Sequence, residues 1–363
     1  MPRTAGRAPI SRRGRVALAA ASVSLVGVAL PALALASSPA QTVQAATHSY
    51  RHGLVPTLEH KLAGDYNKAL GLGLPGLNFQ LTYGGGVNGV GVTTGAPKVY
   101  AVFWGAQWGT AGTDANGNTT LTGDPQGTAP RVQAFFKGLG TNNEGWSRVM
   151  KQYCEGVASG AKTCPASAPH VGYPTGGALA GVWVDNAAPA PSQATAAQIA
   201  QEAVNAAGHF GNTTSAANRN AQYIVLSPTG THPDGYNTTS STWCAWHDFT
   251  SSANGDIAYS NDPYIPDMGS SCGQNFVNAG AAGTLDGVTI VFGHEYAETI
   301  TDQFPAGGWT DLQGQENGDK CAWISSGQGA SANLALSTGS FAVQSTWGND
   351  FNANKGGCEI THA

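Results

Sequence analysis

From Asp286 to Ile300 the chain reads Asp-Gly-Val-Thr-Ile-Val-Phe-Gly-His-Glu-Tyr-Ala-Glu-Thr-Ile, and this segment restricts the fold more than any other. Its composition is that of a mostly buried helix, yet it carries His294, Glu295 and Glu298. Ionisable groups on a buried helix need partners or a metal. The fold must therefore wrap this helix in apolar surface and bring compensating groups to it. Positions 294 and 298 are one turn apart, so the imidazole and the carboxylate leave the same face and can reach a common ion. Glu295 lies about 100° round the helix, placed to touch a water on that ion without ligating it.

The spacing is that of an HExxH metalloprotease helix with Glu298 in place of the second histidine. The plain alternative, a His-Glu pair on a solvated helix, contributes only a few tenths of a kcal/mol. Against it stand the apolar flanks and the acids that follow. Between His294 and Asp319 lie Glu295, Glu298, Asp302, Asp311, Glu316 and Asp319, six of the 22 acids in a chain that is only 11% charged. Asp302 shares the helix face but sits about 12 Å along the axis from His294, so a third ligand must come from elsewhere. Glu316 and Asp319 follow a loop that can fold back onto the helix, and a downstream acid is a known third zinc ligand. His247, in Trp243-Cys244-Ala245-Trp246-His247, is the other candidate; it can also steady an oxyanion or be a satisfied core histidine. The expected cofactor is one divalent ion, zinc first, with oxygen-rich ligation admitting harder ions.

The chain begins with Arg3, Arg7, Arg12, Arg13 and Arg15, then an apolar run from Val16 to Leu35 and a small-residue cleavage site at Ala34-Leu35-Ala36. Residues 1–36 read as a secretory leader. No later apolar run is long enough to span a bilayer, so no stable membrane insertion is expected after cleavage. Losing the leader removes five Arg and no acid, leaving 12 Lys+Arg against 22 Asp+Glu. That balance excludes nucleic acid and anionic membranes as natural partners. All six cysteines, Cys154, Cys164, Cys244, Cys272, Cys321 and Cys358, lie beyond the leader. An even count in an exported chain favours disulfides over thiol catalysis, and sequence order points to pairing each with the next among fifteen possible connectivities.

Residues 37–93 are irregular, a propeptide or an edge hairpin, and residues 94–363 form the main domain. Gly84 to Gly89 spells GxGxxG, but a strand-like stretch follows it and no helix, which excludes a dinucleotide site. Asp114-Ala115-Asn116-Gly117-Asn118 starts like a calcium loop, yet Thr119 replaces the required glycine and Pro125 the closing Glu, so it reads as a turn. Val99–Trp104 is a short apolar, β-branched run typical of a strand buried on both faces, and 180–184 and 223–226 look alike. Helical patterns lie between them at 131–137, 146–152 and 193–207. The last is expected to be capped by Ser192, to bury Ile199, Ala200, Ala203, Val204 and Ala207, and to end at Gly208. Strands alternating with helices predict an α/β domain with a mostly parallel sheet.

These residues also carry a resemblance. Lys98–Gly109, Tyr223–Pro228, Cys244-Ala245-Trp246-His247, Asp286–Glu298 and Glu316–Cys321 are similar to the exordium or phosphate-induced protein family of plant cell walls and its bacterial relatives. Plant members share a GHE-x-A-E helix, an acid pair before a cysteine and a Cys-x-x-His. The chain departs from them at Thr301-Asp302 and in the Cys154 and Cys164 pair. The resemblance implies a secreted, zincin-like single α/β domain with a mostly parallel or mixed sheet, helices on its flanks and Gly-rich loops. It places His294, Glu295, Glu298 and Glu316 or Asp319 on the matching positions. The expected activity is that of a metal-dependent hydrolase, foremost a zinc peptidase acting on extracellular protein or peptide. Glu295 is then the general base, and His247 or a backbone donor steadies the oxyanion. The competing expectation is an extracellular binding protein with a structural metal and no catalysis.

Overall fold

The computed structural model describes residues 51–69 and 80–362. The leader read at residues 1–36 lies outside them, as do residues 37–50 and 70–79. Six strands, β1 (His52–Pro56), β2 (Lys98–Trp104), β3 (Leu179–Asp185), β4 (Ala221–Leu226), β5 (Trp243–Ser252) and β6 (Gly255–Asp262), form one mixed sheet in the order β1-β5-β6-β4-β2-β3. Strands β3, β2, β4 and β6 are mutually parallel, while β5 is antiparallel to both its neighbours. The expected α/β class with a mixed sheet and flanking helices is what the chain adopts.

The central strands follow from their residues. Val99, Ala101, Val102, Phe103 and all six residues of β4 are buried, as a continuous apolar run between helical layers requires. Strand β3 corrects the expectation: it ends the sheet and is largely half-buried, with Trp183 stacked on His209 at 4.4 Å. A valine-rich run reads the same at an edge as at a centre, because the missing neighbour is a tertiary fact. The turn from β5 to β6 is Ala253-Asn254, and Gly255, paired with Ser252 just after it, has a φ of 90° that suits glycine.

Helix α1 (Leu58–Ala69) follows β1, and α2 (Thr128–Gly138) follows an Asp124 carboxylate that accepts from the N–H groups of Thr128 at 2.9 Å and Ala129 at 2.7 Å. The pattern at 146–152 divides into a helical turn, Trp146–Val149, and a 3-10 turn, Met150–Gln152. Helix α3 (Ala196–His209) starts at Thr195, which forms a capping box with Gln198; Ser192 is not the cap. It buries Glu202 and Ala206 instead of Ala200 and Val204, and Gly208 lies within it. The buried stripe is thus turned toward Glu202 and Ala206 relative to the expected one.

Helix α4 (Asp286–Thr301) is buried at all 16 positions. It packs against α2, β5, β1 and the hairpin of β7 (Ala332–Leu336) and β8 (Gly339–Val343). Burial this complete needs closure at the ends. Asp286 accepts from the backbone of Val277 and Asn278, and a Cβ on Gly287 would lie 1.9 Å from the Cys272 carbonyl. Disulfides join Cys154–Cys164, Cys244–Cys272 and Cys321–Cys358, with Cα separations of 5.9, 5.7 and 5.6 Å, and no cysteine is free. All three pairs are those that sequence order suggests, and they fit an oxidising compartment. Among the described residues no helix is long and apolar enough to cross a membrane.

Candidate metal centre

Three elements converge on the middle of α4. The helix supplies His294, Glu295 and Glu298; β5 supplies His247; the loop ending in the 3-10 turn Asp319–Cys321 supplies Glu316 and Asp319. Disulfides steady the second and third elements close to their functional residues. Cys244 is three positions before His247, and Cys321 two after Asp319. The loop is also tied to the helix directly: Asn317 Nδ2 donates to the Ala297 carbonyl at 3.3 Å and the Asp319 N–H to Glu298 Oε1 at 2.8 Å.

The structure brings all six expected site residues together. His294 Nε2 lies 2.9 Å from Glu298 Oε1 and 3.7 Å from Asp319 Oδ1. His247 Nε2 lies 3.1 Å from Glu316 Oε1 and 3.8 Å from Glu298 Oε2. Each oxygen of Glu298 therefore faces a different histidine. Two sets of donor atoms fall within 4.8 Å of one another, His294 with Glu298 and Asp319, and His247 with Glu295 and Glu298. Glu295 is thus grouped with His247, nearer to ligand distance than its helix position alone suggests.

Six buried donor atoms in this cluster have no hydrogen-bond partner: His247 Nδ1, His294 Nε2, both oxygens of Glu295, Glu298 Oε2 and Glu316 Oε2. A carboxylate shut away from water without donors costs several kcal/mol, and a cation at this point would meet the valence that the protein leaves unmet. His294 Nε2 and Glu298 Oε1 approach closely without hydrogen-bond geometry, an arrangement in which both could reach one ion. Two imidazoles and four carboxylates are a suitable nitrogen and oxygen set for zinc or a harder divalent ion.

Protonation is shaped by the same crowding. Burial, then Glu298, Asp262, Asp319 and Glu316, hold the Glu295 carboxyl well above its ordinary range. Burial, then Asp302 and Glu298, raise Glu316 likewise. His247 is pushed well below its usual value by burial, with His52 and His294 adding to it, and is neutral. Burial also opposes a charge on His294, but Glu298 and Asp319 outweigh it and raise the ring to about 9.

Several contributors carry no signal in the sequence pattern. Gln344 donates through Nε2 to the carbonyls of Gly318 and Ser345, which turns its Oε1 toward His294 Nδ1 at 3.0 Å. That contact fixes Nδ1 as a proton donor, so that a bound cation would take the place of the second ring proton at Nε2, between Glu298 and Asp319. Asp262, fully buried at the end of β6 and raised by burial to about 7, adds a further carboxyl beside Glu295. Gly318 and Gly53 bracket Glu298. A Cβ on Gly318 would lie 2.8 Å from Oε1, and one on Gly53 1.9 Å from Oε2. Asp302, by contrast, stays outside the cluster at the helix C-terminus. No protein-family model, curated protein or solved structure matches this chain.

Proposed function

We propose that this chain is a secreted, zincin-like metallopeptidase, and that the six unpartnered buried donors around Glu298 carry the reading. His294, Glu298 and Asp319 hold the ion, His294 being oriented through Gln344 and Asp319 being fixed by its own N–H to Glu298. Glu316 engages Nε2 of His247 and leaves Nδ1 as the open position of that ring. A divalent ion in this set would polarise a peptide carbonyl.

Glu295 is the proton carrier. Both its oxygens are without donors, and burial, then Glu298, Asp262, Asp319 and Glu316, raises its proton affinity above that of an ordinary carboxylate. Glu295 would take a proton from the water whose oxygen bonds to the peptide carbonyl carbon and pass it to the amine nitrogen as the C–N bond breaks, the surrounding burial keeping that proton within the site. His247, neutral and held by Glu316, lies within 4.8 Å of Glu295 and serves to orient the polypeptide or steady developing charge. The substrate is extracellular protein or peptide.

Metal analysis of the isolated protein, with digestion of a denatured protein in the presence and absence of a chelator, tests the reading. One stoichiometric divalent ion and chelator-sensitive digestion are expected. An ion that is present while no digestion occurs would make the site structural and the protein a binder; absence of any stoichiometric ion would remove the reading altogether.

A further inference from the structure

Glu298 stands between two half-sites of similar make. On one side its Oε1 lies 2.9 Å from His294 Nε2, with Asp319 Oδ1 3.7 Å from the same ring atom. On the other its Oε2 lies 3.8 Å from His247 Nε2, with Glu316 Oε1 3.1 Å from that ring atom. Each side joins one histidine, one oxygen of Glu298 and one acid of the Glu316 to Asp319 stretch. Each also has a glycine against it. A Cβ on Gly318 would lie 2.8 Å from Oε1 and 2.9 Å from His294 Nδ1, and one on Gly53 1.9 Å from Oε2 and 2.5 Å from His247 Nε2. Bare backbone at both places keeps a further side chain away from either half.

The two sets of converging donors have only Glu298 in common. One ion held by His294, Glu298 and Asp319 leaves the other set, His247, Glu295 and Glu298, without a cation of its own. The larger deficit is on that second side. Among the six site residues, the carboxylate oxygens without a partner are both of Glu295, Oε2 of Glu298 and Oε2 of Glu316, all on buried side chains that lie near His247. The charges point the same way. Carboxylates ligate a metal as anions. One divalent ion then balances two of Glu295, Glu298, Glu316 and Asp319, whereas two ions balance all four, and charge left uncompensated away from water is costly.

We propose that the centre takes two ions: a second divalent cation sits between His247 and Oε2 of Glu298, within reach of Glu295 and Glu316, and Glu298 bridges it to the first. The inference rests on the metal centre of the peptidase reading and adds an ion to it. A carboxylate whose two oxygens face different ions suits the spacing of two-metal sites, about 3.5–4 Å. An ion there replaces the proton that His247 Nε2 shares with Glu316. The second half offers one ring nitrogen and otherwise oxygen, so it admits harder ions such as Mn²⁺. It fills after the first half, because two cations this close repel each other. The protein as isolated therefore keeps one ion and takes the second from added metal. Glu295 has two oxygens without a partner, so one can meet the second ion while the other takes the proton.

The test uses the full chain, freed of metal with a chelator and dialysed against excess Mn²⁺. It is expected to retain two ions per chain, with the electron paramagnetic resonance spectrum of a coupled pair, since a shared carboxylate links their spins. His247→Gln is expected to lower the content to one ion with the spectrum of isolated Mn²⁺. Glu316→Gln keeps the size of its side chain, removes an anion from the second half alone and is expected to weaken the second ion roughly tenfold or more, which keeps the test open if His247→Gln fails to fold. One ion at every Mn²⁺ concentration overturns the inference, as do two ions without coupling. His362, Glu359 and Asp350 form another set of converging donors, and His362→Ala is expected to leave the coupled pair intact. A second ion lost in that variant and kept in His247→Gln overturns the inference as well. Ion content and coupling are read without any substrate. A protein that holds a coupled pair and digests nothing keeps the second ion and loses the peptidase; one that digests protein and never takes up more than one ion does the reverse.

Discussion

Glu295 and Asp302 stand two turns apart on and just beyond the same helix, both fully buried, and they are solved in opposite ways. Asp302 accepts from the N–H groups of Ala306 at 3.0 Å and Gly308 at 2.5 Å, so its carboxylate closes the end of α4. Next to it Gln303 Oε1 accepts from Arg219, and Arg219 also pairs with Glu155 at 2.5 Å. Glu295 has no donor on either oxygen. Burial of charge therefore does not by itself mark a site. The mark is valence that the protein leaves unmet, and α4 carries both kinds within eight residues.

The largest expected effect comes from removing what meets that valence. An ion bound only by the folded state stabilises it by about 4 kcal/mol when its free concentration is a thousandfold above Kd. His294→Ala and Glu298→Ala are each expected to lose the ion and most of that stability, as seen by metal analysis and chemical denaturation. Excess chelator should then change these variants little while destabilising the wild type. A wild type indifferent to chelator would mean that the unpartnered donors are tolerated without a cation, and the contrast with Asp302 would collapse.

Asp302→Ala attacks the satisfied region. It leaves the buried N–H of Gly308 and the part-buried N–H of Ala306 without an acceptor, at a cost of about 2 kcal/mol. Ion content should stay stoichiometric, because neither donor set includes Asp302. Loss of the ion along with stability would make Asp302 part of the centre and erase the distinction.

How much of this difference can be read before folding depends on its range. The helix and its donor face are legible because 3.6-residue periodicity and apolar flanks are local. His247, Glu316 and Asp319 stand out because the chain has few His and acids from which to choose. Asp302 was set aside by axial distance alone, and its backbone donors come from the loop that follows it. Gln344 and Gly53 are invisible: one acts through an amide 50 positions from His294, the other through a Cβ it lacks. The antiparallel β5 and β6 had a signal in Asn254-Gly255, a turn dipeptide that the strand reading did not use. Which strands end the sheet has no local signature, which is why β3 was expected to be buried.

Glu295→Gln sharpens the contrast from the functional side. The amide keeps the size of the side chain and removes a carboxylate whose desolvation nothing offsets. Activity is expected to fall by roughly 10², the scale of a missing general base, with ion content retained and unfolding stability unchanged or higher. Loss of the ion in this variant would instead make Glu295 a ligand beside His247. Full activity with the ion retained would remove its role as proton carrier.

Glu202 on α3 offers a third buried carboxylate, intermediate between the two. Its Oε2 accepts from Asn205 at 3.1 Å while Oε1 has no partner. Burial, opposed in part by Asn205 and reinforced by Asp185, raises it from 4.5 to about 7. The folded state therefore keeps a proton that the unfolded chain releases. The stability this contributes is fully present below pH 4.5 and is lost as pH rises toward 7. Glu202→Gln holds the neutral form at every pH and keeps an acceptor for Asn205. Wild type and variant should denature alike near pH 4, and the variant should be the more stable at pH 8 by on the order of 1 kcal/mol, the full shift being reduced by solvent near the carboxylate. The other raised acids, Asp302 and Asp319 among them, are common to both proteins and cancel in this difference. A gap of equal size at both pH values would show that Glu202 does not change protonation on folding, and that its single amide donor already offsets its burial.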